Sequence, residues 1–135
     1  LRKNRVITPK SHQRDGLSFH ICALYMDREK LYYLINSRAA AMYEEGLEEE
    51  TRKVMEHVPG ARTFLSSIIG YSQAARVLEG EMDRAAAIEE TARHTRRYAK
   101  RQLTWLRSMP GVRWLNKEES GPEEMARRTA AEIKY

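Results

Sequence analysis

Residues 94–107 have the sequence HTRRYAKRQLTWLR, and the spacing of their apolar and charged side chains predicts an amphipathic helix. Asp83 can cap the start of this helix, and Pro110-Gly111 ends it after about Arg107. At 3.6 residues per turn, the apolar side chains form one stripe, which we expect to be the buried face. The stripe comprises Ile88, Ala92, Thr95, Ala99, Leu103 and Leu106.

The opposite side of this helix is cationic. Lysine and arginine attract phosphates and release their counterions, while aromatic, amide and hydroxyl side chains can stack on bases or hydrogen-bond to them. The pattern therefore predicts an RNA-binding helix. A solvated basic face, with the aromatic side chains packed on a neighbour, fits the same residues. The cationic arc comprises Arg93, Arg96, Arg97, Lys100, Arg101, Thr104 and Arg107, and the strip between the two faces comprises His94, Tyr98, Gln102 and Trp105.

The apolar segment 18–26, SFHICALYM, predicts a buried β-strand. A strand that is apolar on both faces is typical of the interior of a covered, usually parallel sheet. Only one further short strand is predicted, Val112–Leu115, and two short strands cannot bury two apolar faces. We therefore expect residues 18–26 to pair with strands of another segment, in a sheet that lies mostly outside this chain. The two faces carry Phe19, Ile21, Ala23 and Tyr25 on one side and Cys22, Leu24 and Met26 on the other.

Helical periodicity dominates the rest of the sequence, so the predicted fold class is mostly α. We divide the chain into a basic linker or loop (1–17), a helical part (18–116) and a C-terminal amphipathic helix (117–135). The remaining helices run from Asp27 to Gly46, from Leu47 to Pro59-Gly60, from Phe64 through Gly70-Tyr71 to Gly80, and onward from Gly121-Pro122. Their predicted inward residues are Leu31, Leu34, Ile35, Ala39 and Met42, then Leu47, Thr51, Val54, Met55 and Val58, and finally Met125, Thr129, Ala130 and Ile133.

The bulk composition is that of a soluble globular domain, with 41% hydrophobic and 32% charged residues among 135. No apolar run reaches the roughly 20 residues of a membrane-spanning helix, so we expect no membrane partner. The single cysteine, Cys22, cannot form an internal disulfide, which favours a cytoplasmic location. The net charge of +5 permits nucleic-acid binding. Residues 1–17 fit either a solvated tail or a phosphate contact. His20 and His57 lack the spacing of metal ligands.

Four segments of the chain match one known family in order and spacing. They are Asp27-Arg28 with Leu31-Tyr32, Ile35, Arg38, Met42, Glu45-Gly46-Leu47 and Glu49-Glu50; Ile69-Gly70-Tyr71; Thr95 to Arg107; and Val112-Arg113-Trp114-Leu115. Together they resemble the tRNA dimethylallyltransferases, also called tRNA isopentenyltransferases. The resemblance covers roughly residues 18–116.

This resemblance implies an enzyme that transfers a dimethylallyl group from dimethylallyl diphosphate to N6 of adenosine-37, beside the tRNA anticodon. The implied fold is a P-loop-type α/β core with helical additions, which flips the target base out of its stack. Mg²⁺ and the P-loop are expected to hold the diphosphate, and an aspartate of the N-terminal half is expected to accept the N6 proton.

The sequence departs from the family because it contains no G-x-x-x-x-G-K-[ST] segment and lacks the family's N-terminal aspartate. We therefore expect this chain to be the C-terminal, tRNA-binding part of such an enzyme, without a catalytic residue or a metal ligand of its own. Its expected partners are the tRNA anticodon stem-loop and an N-terminal half that brings dimethylallyl diphosphate. A non-catalytic RNA-binding module, or a helical domain that binds an acidic protein, remain alternatives.

The predicted tRNA contacts combine the turn taken from the resemblance with the basic helix. Arg28 resembles an arginine near the donor diphosphate, although a surface arginine at a helix start is the alternative. Ser72 stands where the family often has a basic residue. The predicted tRNA contacts are Ser67, Gly70, Tyr71, Arg93, Arg96, Arg97, Lys100, Arg101, Gln102, Thr104, Trp105 and Arg107.

Overall fold

A computed structural model describes residues 21–119 and 121–131, which form six helices and two strands. The mostly helical fold class is therefore confirmed. None of these helices is long and apolar enough to cross a membrane. The predicted segment 1–17, residues 18–20 and Ile133 lie outside the described residues. In chain order the elements are β1 (Ile21–Tyr25), α1 (Arg28–Glu44), α2 (Leu47–His57), α3 (Ala61–Leu65), α4 (Tyr71–Leu78), α5 (Arg84–Ser108), β2 (Val112–Asn116) and α6 (Pro122–Ala131).

The two longest helices, α1 and α5, begin where the sequence predicts them. The Asp27 carboxylate accepts hydrogen bonds from the N–H groups of Glu29 and Lys30, at 2.9 and 3.2 Å. Asp83 accepts one from the N–H of Ala86 at 2.7 Å. Such caps pair N–H groups that have no partner inside the helix, and each is worth about 1 kcal/mol. The capped α5 packs along both α1 and α4.

Tyr43 is the largest side chain in the core between α1, α2, α4 and α5, although the sequence pattern does not predict it there. It is only 2% exposed and packs with Leu47, Ala74 and Ala87. Its hydroxyl oxygen lies 3.3 Å from Oγ1 of Thr91 and 3.5 Å from the carbonyl oxygen of Gly70. Burial raises the pKa of this hydroxyl, so it stays neutral and able to donate a hydrogen bond.

The prediction of one continuous helix from Phe64 to Gly80 is wrong, because a turn at residues 66–70 separates α3 from α4. The Ser66 and Ser67 hydroxyls donate to carbonyl oxygens three residues earlier, at 2.6 and 2.8 Å. Gly70 then has a φ of +96°, which is incompatible with a right-handed helix and is readily adopted only by glycine. The chain therefore changes direction at Gly70, and α4 starts at Tyr71.

Both predicted strands are confirmed, and they pair with each other as a parallel two-stranded sheet. Ile21 lies opposite Val112, and Tyr25 lies opposite Asn116. Ala23 is buried, whereas Leu24 and Tyr25 are 54% and 42% exposed. Two strands thus leave much of the apolar surface of β1 uncovered, as expected for such a small sheet. These exposed apolar side chains support the expectation that the sheet continues beyond the described strands.

Three predicted inward positions lie on the surface instead. Val58 is 51% exposed because α2 ends at His57 and the backbone of Val58 is extended. Ala130 is exposed on α6, whereas Met125 of the same helix is buried as predicted. Leu34 is 46% exposed. It lines a shallow apolar depression with Leu24, Met26, Leu31, Ile35 and Leu103, among other residues.

We predict that Gly70→Ala lowers the free energy of unfolding by roughly 2–4 kcal/mol. A Cβ at position 70 would lie 3.3 Å from Cε of Met42 and 3.6 Å from Cδ2 of Leu47, in addition to the unfavourable positive φ. Urea unfolding followed by circular dichroism measures the loss. Gly80→Ala is the matched control, because Gly80 has a φ of +74° but no atom within 4 Å of the added carbon. It should cost only about 1 kcal/mol. Equal losses for both variants would contradict the proposed crowding at Gly70.

Candidate RNA-binding site

From Arg93 onward, α5 displays the basic face that the sequence predicts. The side chains of its apolar stripe are buried or partly buried, so the predicted orientation of the helix is confirmed. The cations are directed to solvent, where phosphate groups of a nucleic acid can reach them. The exposed polar residues of this face are Arg93, Arg97, Lys100, Arg101, Gln102, Thr104 and Arg107.

Arg96 differs from the other predicted cations of the basic face. Its side chain is only 22% exposed. Its guanidinium donates to Oδ1 of Asn36 in α1 and to a carboxylate oxygen of Glu89, the latter at 3.2 Å. Arg96 therefore joins α5 to α1, and it would have to give up these partners to bind a phosphate.

Two aromatic side chains accompany the exposed cations. Trp105 is 57% exposed and borders a shallow groove with Lys100, Arg101, Thr104 and Ser108. Tyr98 is 49% exposed, and the guanidinium carbon of Arg101 lies 5.9 Å from the centre of its ring. Neither ring is in the core of the described part of the chain. Flat aromatic faces beside cations are suited to stacking on unpaired bases.

A small cleft of about 180 Å³ lies between the start of α1 and the C-terminal half of α5. It brings Arg28 together with Lys100 and Arg107, so the residue predicted near the diphosphate shares a cleft with two predicted tRNA contacts. The Arg28 guanidinium carbon lies 5.1 Å from the ring centre of Tyr32. Three cations around one cleft favour an anionic ligand such as a phosphate. Tyr32 is not among the predicted site residues, although its spacing of four from Arg28 indicates this contact.

The turn at residues 66–70 presents some of the predicted contacts and buries others. Ser67 is exposed. Gly70 is buried, and its N–H donates to Oε1 of Gln73 at 2.9 Å. The Tyr71 hydroxyl donates to Glu50 at 2.7 Å, and this hydrogen bond raises the pKa of Tyr71. Among these residues, Ser67 is the exposed one, whereas Gly70 and Tyr71 shape the turn.

Glu90 is the centre of a polar cluster between α4 and α5. Its carboxylate accepts a hydrogen bond from Nε2 of Gln73 at 3.3 Å and two from Arg76 at 3.1 and 3.3 Å. Nε2 of His94 lies 4.0 Å away. Burial raises the pKa of the Glu90 carboxyl, but the hydrogen bond from Gln73 and the charge of Arg76 together outweigh it and hold this pKa below its ordinary value. Glu90 is therefore a charged link between the two helices at neutral pH.

Comparison with known proteins places this geometry in one family. A family model described as IPP transferase matches residues 2–109. The chain is 46% identical over 105 residues to a tRNA dimethylallyltransferase of Myxococcus xanthus, a match that covers 75% of this chain and 32% of that protein. It is 41% identical over 107 residues to one of Acetivibrio thermocellus, covering 79% of this chain and 34% of that protein. The chain thus spans about a third of the length of these relatives.

Two solved structures resemble the described fold. One is the tRNA delta(2)-isopentenylpyrophosphate transferase of Staphylococcus epidermidis, with a TM-score of 0.73, 33% identity, and coverage of 84% of this chain and 37% of that one. The other is the full-length tRNA isopentenylpyrophosphate transferase of Bacillus halodurans, with a TM-score of 0.72, 30% identity, and coverage of 87% and 39%. The helices and the two strands therefore correspond to part of a P-loop-type α/β fold.

We predict that Glu90→Gln lowers stability at pH 7 by about 1 kcal/mol. Because the folded-state pKa is depressed, the charged carboxylate stabilises the fold above its unfolded-state pKa, and this stabilisation is lost as the pH falls through the folded-state pKa. The variant should therefore lose less stability than the wild type between about pH 5 and pH 3. Unfolding measured at a series of pH values tests this.

The matched control is Glu124→Gln, which removes an exposed pair with Arg128 on α6. Exposed pairs contribute little, so this change should leave both the stability at pH 7 and the acid limb almost unaltered. If the wild type and Glu90→Gln lost the same stability between about pH 5 and pH 3, the role assigned to Glu90 would be contradicted.

Proposed function

Because this chain belongs to the IPP transferase family, we propose that it supplies the tRNA-binding part of a tRNA dimethylallyltransferase. In the proposed reaction, a dimethylallyl group moves from dimethylallyl diphosphate to N6 of adenosine-37 in tRNA, leaving diphosphate. The observation that carries the proposal is the exposed face of α5, where Arg97, Lys100 and Arg101 lie beside Tyr98 and Trp105. The proposed RNA partner is the anticodon stem-loop, in which unpaired bases are available for stacking.

The proposed binding has two physical components. Arg97, Lys100 and Arg101 neutralise backbone phosphates, which releases condensed counterions and makes the affinity dependent on salt. Tyr98 and Trp105 stack on unpaired bases, which adds affinity that depends less on salt. The cations therefore hold the RNA backbone along α5, while the rings select for single-stranded segments.

The cleft of Arg28, Lys100 and Arg107 is the proposed contact with the donor diphosphate. An arginine guanidinium can bind two phosphate oxygens at once, which suits it to a diphosphate. Lys100 and Arg107 line the same cleft and also belong to the basic helix. The shared lining supports a site in which the donor lies next to the bound RNA.

We propose that the chain alone does not catalyse the transfer and acts with an N-terminal half in the cytoplasm. Its sequence has no P-loop motif to bind phosphates. Mg²⁺ would neutralise charge on the diphosphate in the whole enzyme. Within residues 21–119 and 121–131, no three His, Cys, Asp or Glu side chains are grouped to hold a metal. We therefore assign no step of metal chemistry to these residues, and the Mg²⁺ of the whole enzyme stays a prediction.

A non-catalytic RNA-binding module is the alternative that shares the basic helix. The apolar depression around Leu24, Met26 and Leu34 favours the enzyme part over this module. A finished small domain rarely leaves large apolar side chains of a sheet uncovered. The proposed N-terminal half would cover this depression and contribute the missing strands.

We predict that this chain binds an anticodon stem-loop RNA and that Arg97→Gln or Lys100→Gln weakens binding. Each change removes about one phosphate contact, so the slope of log Kd against log salt concentration should fall by about 0.7–0.9. Fluorescence anisotropy with a labelled RNA hairpin, titrated at several salt concentrations, gives both values. An unchanged slope for both variants would exclude this face from the RNA interface.

Two control variants separate charge from stacking. Arg52 forms ion pairs with Glu49 and Glu56 on α2, so Arg52→Gln should leave both the affinity and the slope unchanged. Trp105→Ala should weaken binding by about tenfold, since stacking is worth about 1–3 kcal/mol per base, while leaving the salt slope as it is. Because Trp105 is 57% exposed, the melting temperature of the Trp105→Ala variant should differ little from that of the wild type. A large fall in melting temperature would instead assign Trp105 to packing.

We predict that the chain alone transfers no dimethylallyl group to unmodified tRNA. The assay incubates it with radiolabelled dimethylallyl diphosphate, Mg²⁺ and tRNA, and measures label in the RNA. The positive control is a complete enzyme, such as the Bacillus halodurans protein. Transfer by this chain alone would overturn the proposal that the phosphate-binding half is required. Binding of the stem-loop without transfer is the expected combination.

A further inference from the structure

Gln73 is a buried amide whose two ends bind different parts of the fold. It is only 2% exposed. Its Oε1 accepts the backbone N–H of Gly70 at 2.9 Å, and its Nε2 lies 3.3 Å from Oε1 of Glu90 and 3.3 Å from Nδ1 of His94. A backbone N–H can only donate, so the atom facing Gly70 is the amide oxygen, and the amide nitrogen then donates to Glu90. Gln73 thus joins the turn at residues 66–70 to α5.

The carbonyl of Gly70 is also linked to α5 through a buried side chain. It accepts the backbone N–H of Ala74 at 2.9 Å, as the first hydrogen bond of α4, and also the hydroxyl of Tyr43 at 3.5 Å. That hydroxyl lies 3.3 Å from Oγ1 of Thr91 in α5. Both backbone polar groups of Gly70 are therefore bound by buried side chains that also contact α5. A turn with both groups fixed in this way cannot shift along α5 without breaking buried hydrogen bonds, each of which is costly to leave unmade.

The turn that Gln73 joins to α5 lies close to the basic face of that helix. Arg76 of α4 contacts Glu90 of α5, and Gln73, which lies about one turn earlier in α4, contacts His94, which lies one turn later in α5. Helices α4 and α5 therefore run antiparallel. The side of α5 that α4 covers continues from His94 to Arg97 and Arg101 at steps of three and four residues. These two arginines are exposed. The turn therefore lies where the covered side of α5 gives way to its basic side.

We propose that Gln73 is a positioning residue that keeps the turn at residues 66–70 in register with the basic face of α5, so that both contact one RNA. The inference rests on the proposed function and goes beyond it, because Gln73 is itself buried and touches no RNA. Ser67 is the exposed part of the turn. Its distance from Arg97 and Arg101 is set through Gln73 and Glu90, which makes the pair of helices and the turn one rigid binding surface.

The test compares Gln73→Leu with the wild type in two measurements on the whole chain. Hydrogen exchange of the Gly70 amide is followed by NMR in protein labelled with ¹⁵N-glycine, whose seven glycines give few signals. Binding of an anticodon stem-loop RNA is followed by fluorescence anisotropy. Leucine retains the volume but loses both hydrogen bonds. We expect Gly70 exchange to accelerate by about tenfold or more and RNA binding to weaken by about tenfold.

Thr51→Val is the matched control for loss of a buried polar group. Thr51 is fully buried, and its hydroxyl donates to the Leu47 carbonyl within α2 at 2.6 Å rather than to Gly70 or α5. This variant should lower the melting temperature while leaving Gly70 exchange and RNA affinity at wild-type values. Equal effects of Thr51→Val and Gln73→Leu on RNA affinity would mean that general destabilisation explains the loss, and would overturn the positioning role.

Gln73→Glu is a second variant, and its effect should depend on pH. It carries the test if Gln73→Leu does not fold. The new carboxyl still accepts the Gly70 N–H, but its charged form faces the carboxylate of Glu90, with His94 on α5 and Arg76 on α4 beside it. Protonation would restore a donor to Glu90. Relative to the wild type at each pH, Gly70 exchange and RNA affinity should therefore recover as the pH is lowered from about 8 to about 6.

The outcomes separate this inference from the proposed function. If the wild type binds RNA and Gln73→Leu binds it equally well despite faster Gly70 exchange, the positioning role is overturned and the proposed function stands. If the wild type binds no stem-loop RNA, the proposed function fails, and the exchange measurement alone decides whether Gln73 fixes the turn. Unchanged Gly70 exchange in Gln73→Leu would overturn the inference whatever the RNA affinity.

Discussion

The buried hydroxyl of Tyr43 is the constraint on which the rest of the arrangement depends. A hydroxyl inside a protein costs roughly 1–3 kcal/mol when it has no hydrogen-bond partner. In this fold its partners, Thr91 and the carbonyl of Gly70, come from two separate segments. Helix α1 can therefore bury the ring only when α5 and the turn at residues 66–70 are both in place. The buried Tyr43 thus joins α1 to α5 and to the turn at residues 66–70.

Helix α5 has two halves with different physical roles. Its 25 residues extend over about 37 Å at 1.5 Å per residue. The first half carries the buried residues Ala87, Thr91 and Ala92 and the ion pair of Glu90, and so it supplies stability. The second half exposes cations and aromatic rings. Since the charges of the second half are not part of the core, their number and position can change with little effect on folding. Arg96, bound to Asn36 and Glu89, marks the boundary between the halves.

The sequence predicts those features that depend on local spacing. Both strands and the two faces of α5 follow from side-chain periodicity within one element, and the caps follow from an aspartate directly before each helix. The turn at residues 66–70 does not follow from this periodicity, because its apolar residues also fit a helix, and only the family resemblance of Ile69-Gly70-Tyr71 indicates it. The burial of Tyr43 and Gln73 is not predicted either. A polar group is buried only where distant residues supply partners, and one sequence does not show which residues those are.

The cationic cleft and the apolar depression are physically linked, since Met26, Leu31 and Leu103 line both. A protein segment that covers the depression would therefore also close one side of the cleft that contains Arg28 and Lys100. Excluding water there lowers the effective dielectric constant and strengthens the attraction of these cations for a diphosphate. Under the proposed function, the N-terminal half would then act on this chain in two ways, by burying the apolar surface of β1 and by increasing the affinity of residues already in place. The donor site would be complete only after both parts had assembled, which accounts for cations and apolar side chains meeting at the same exposed edge.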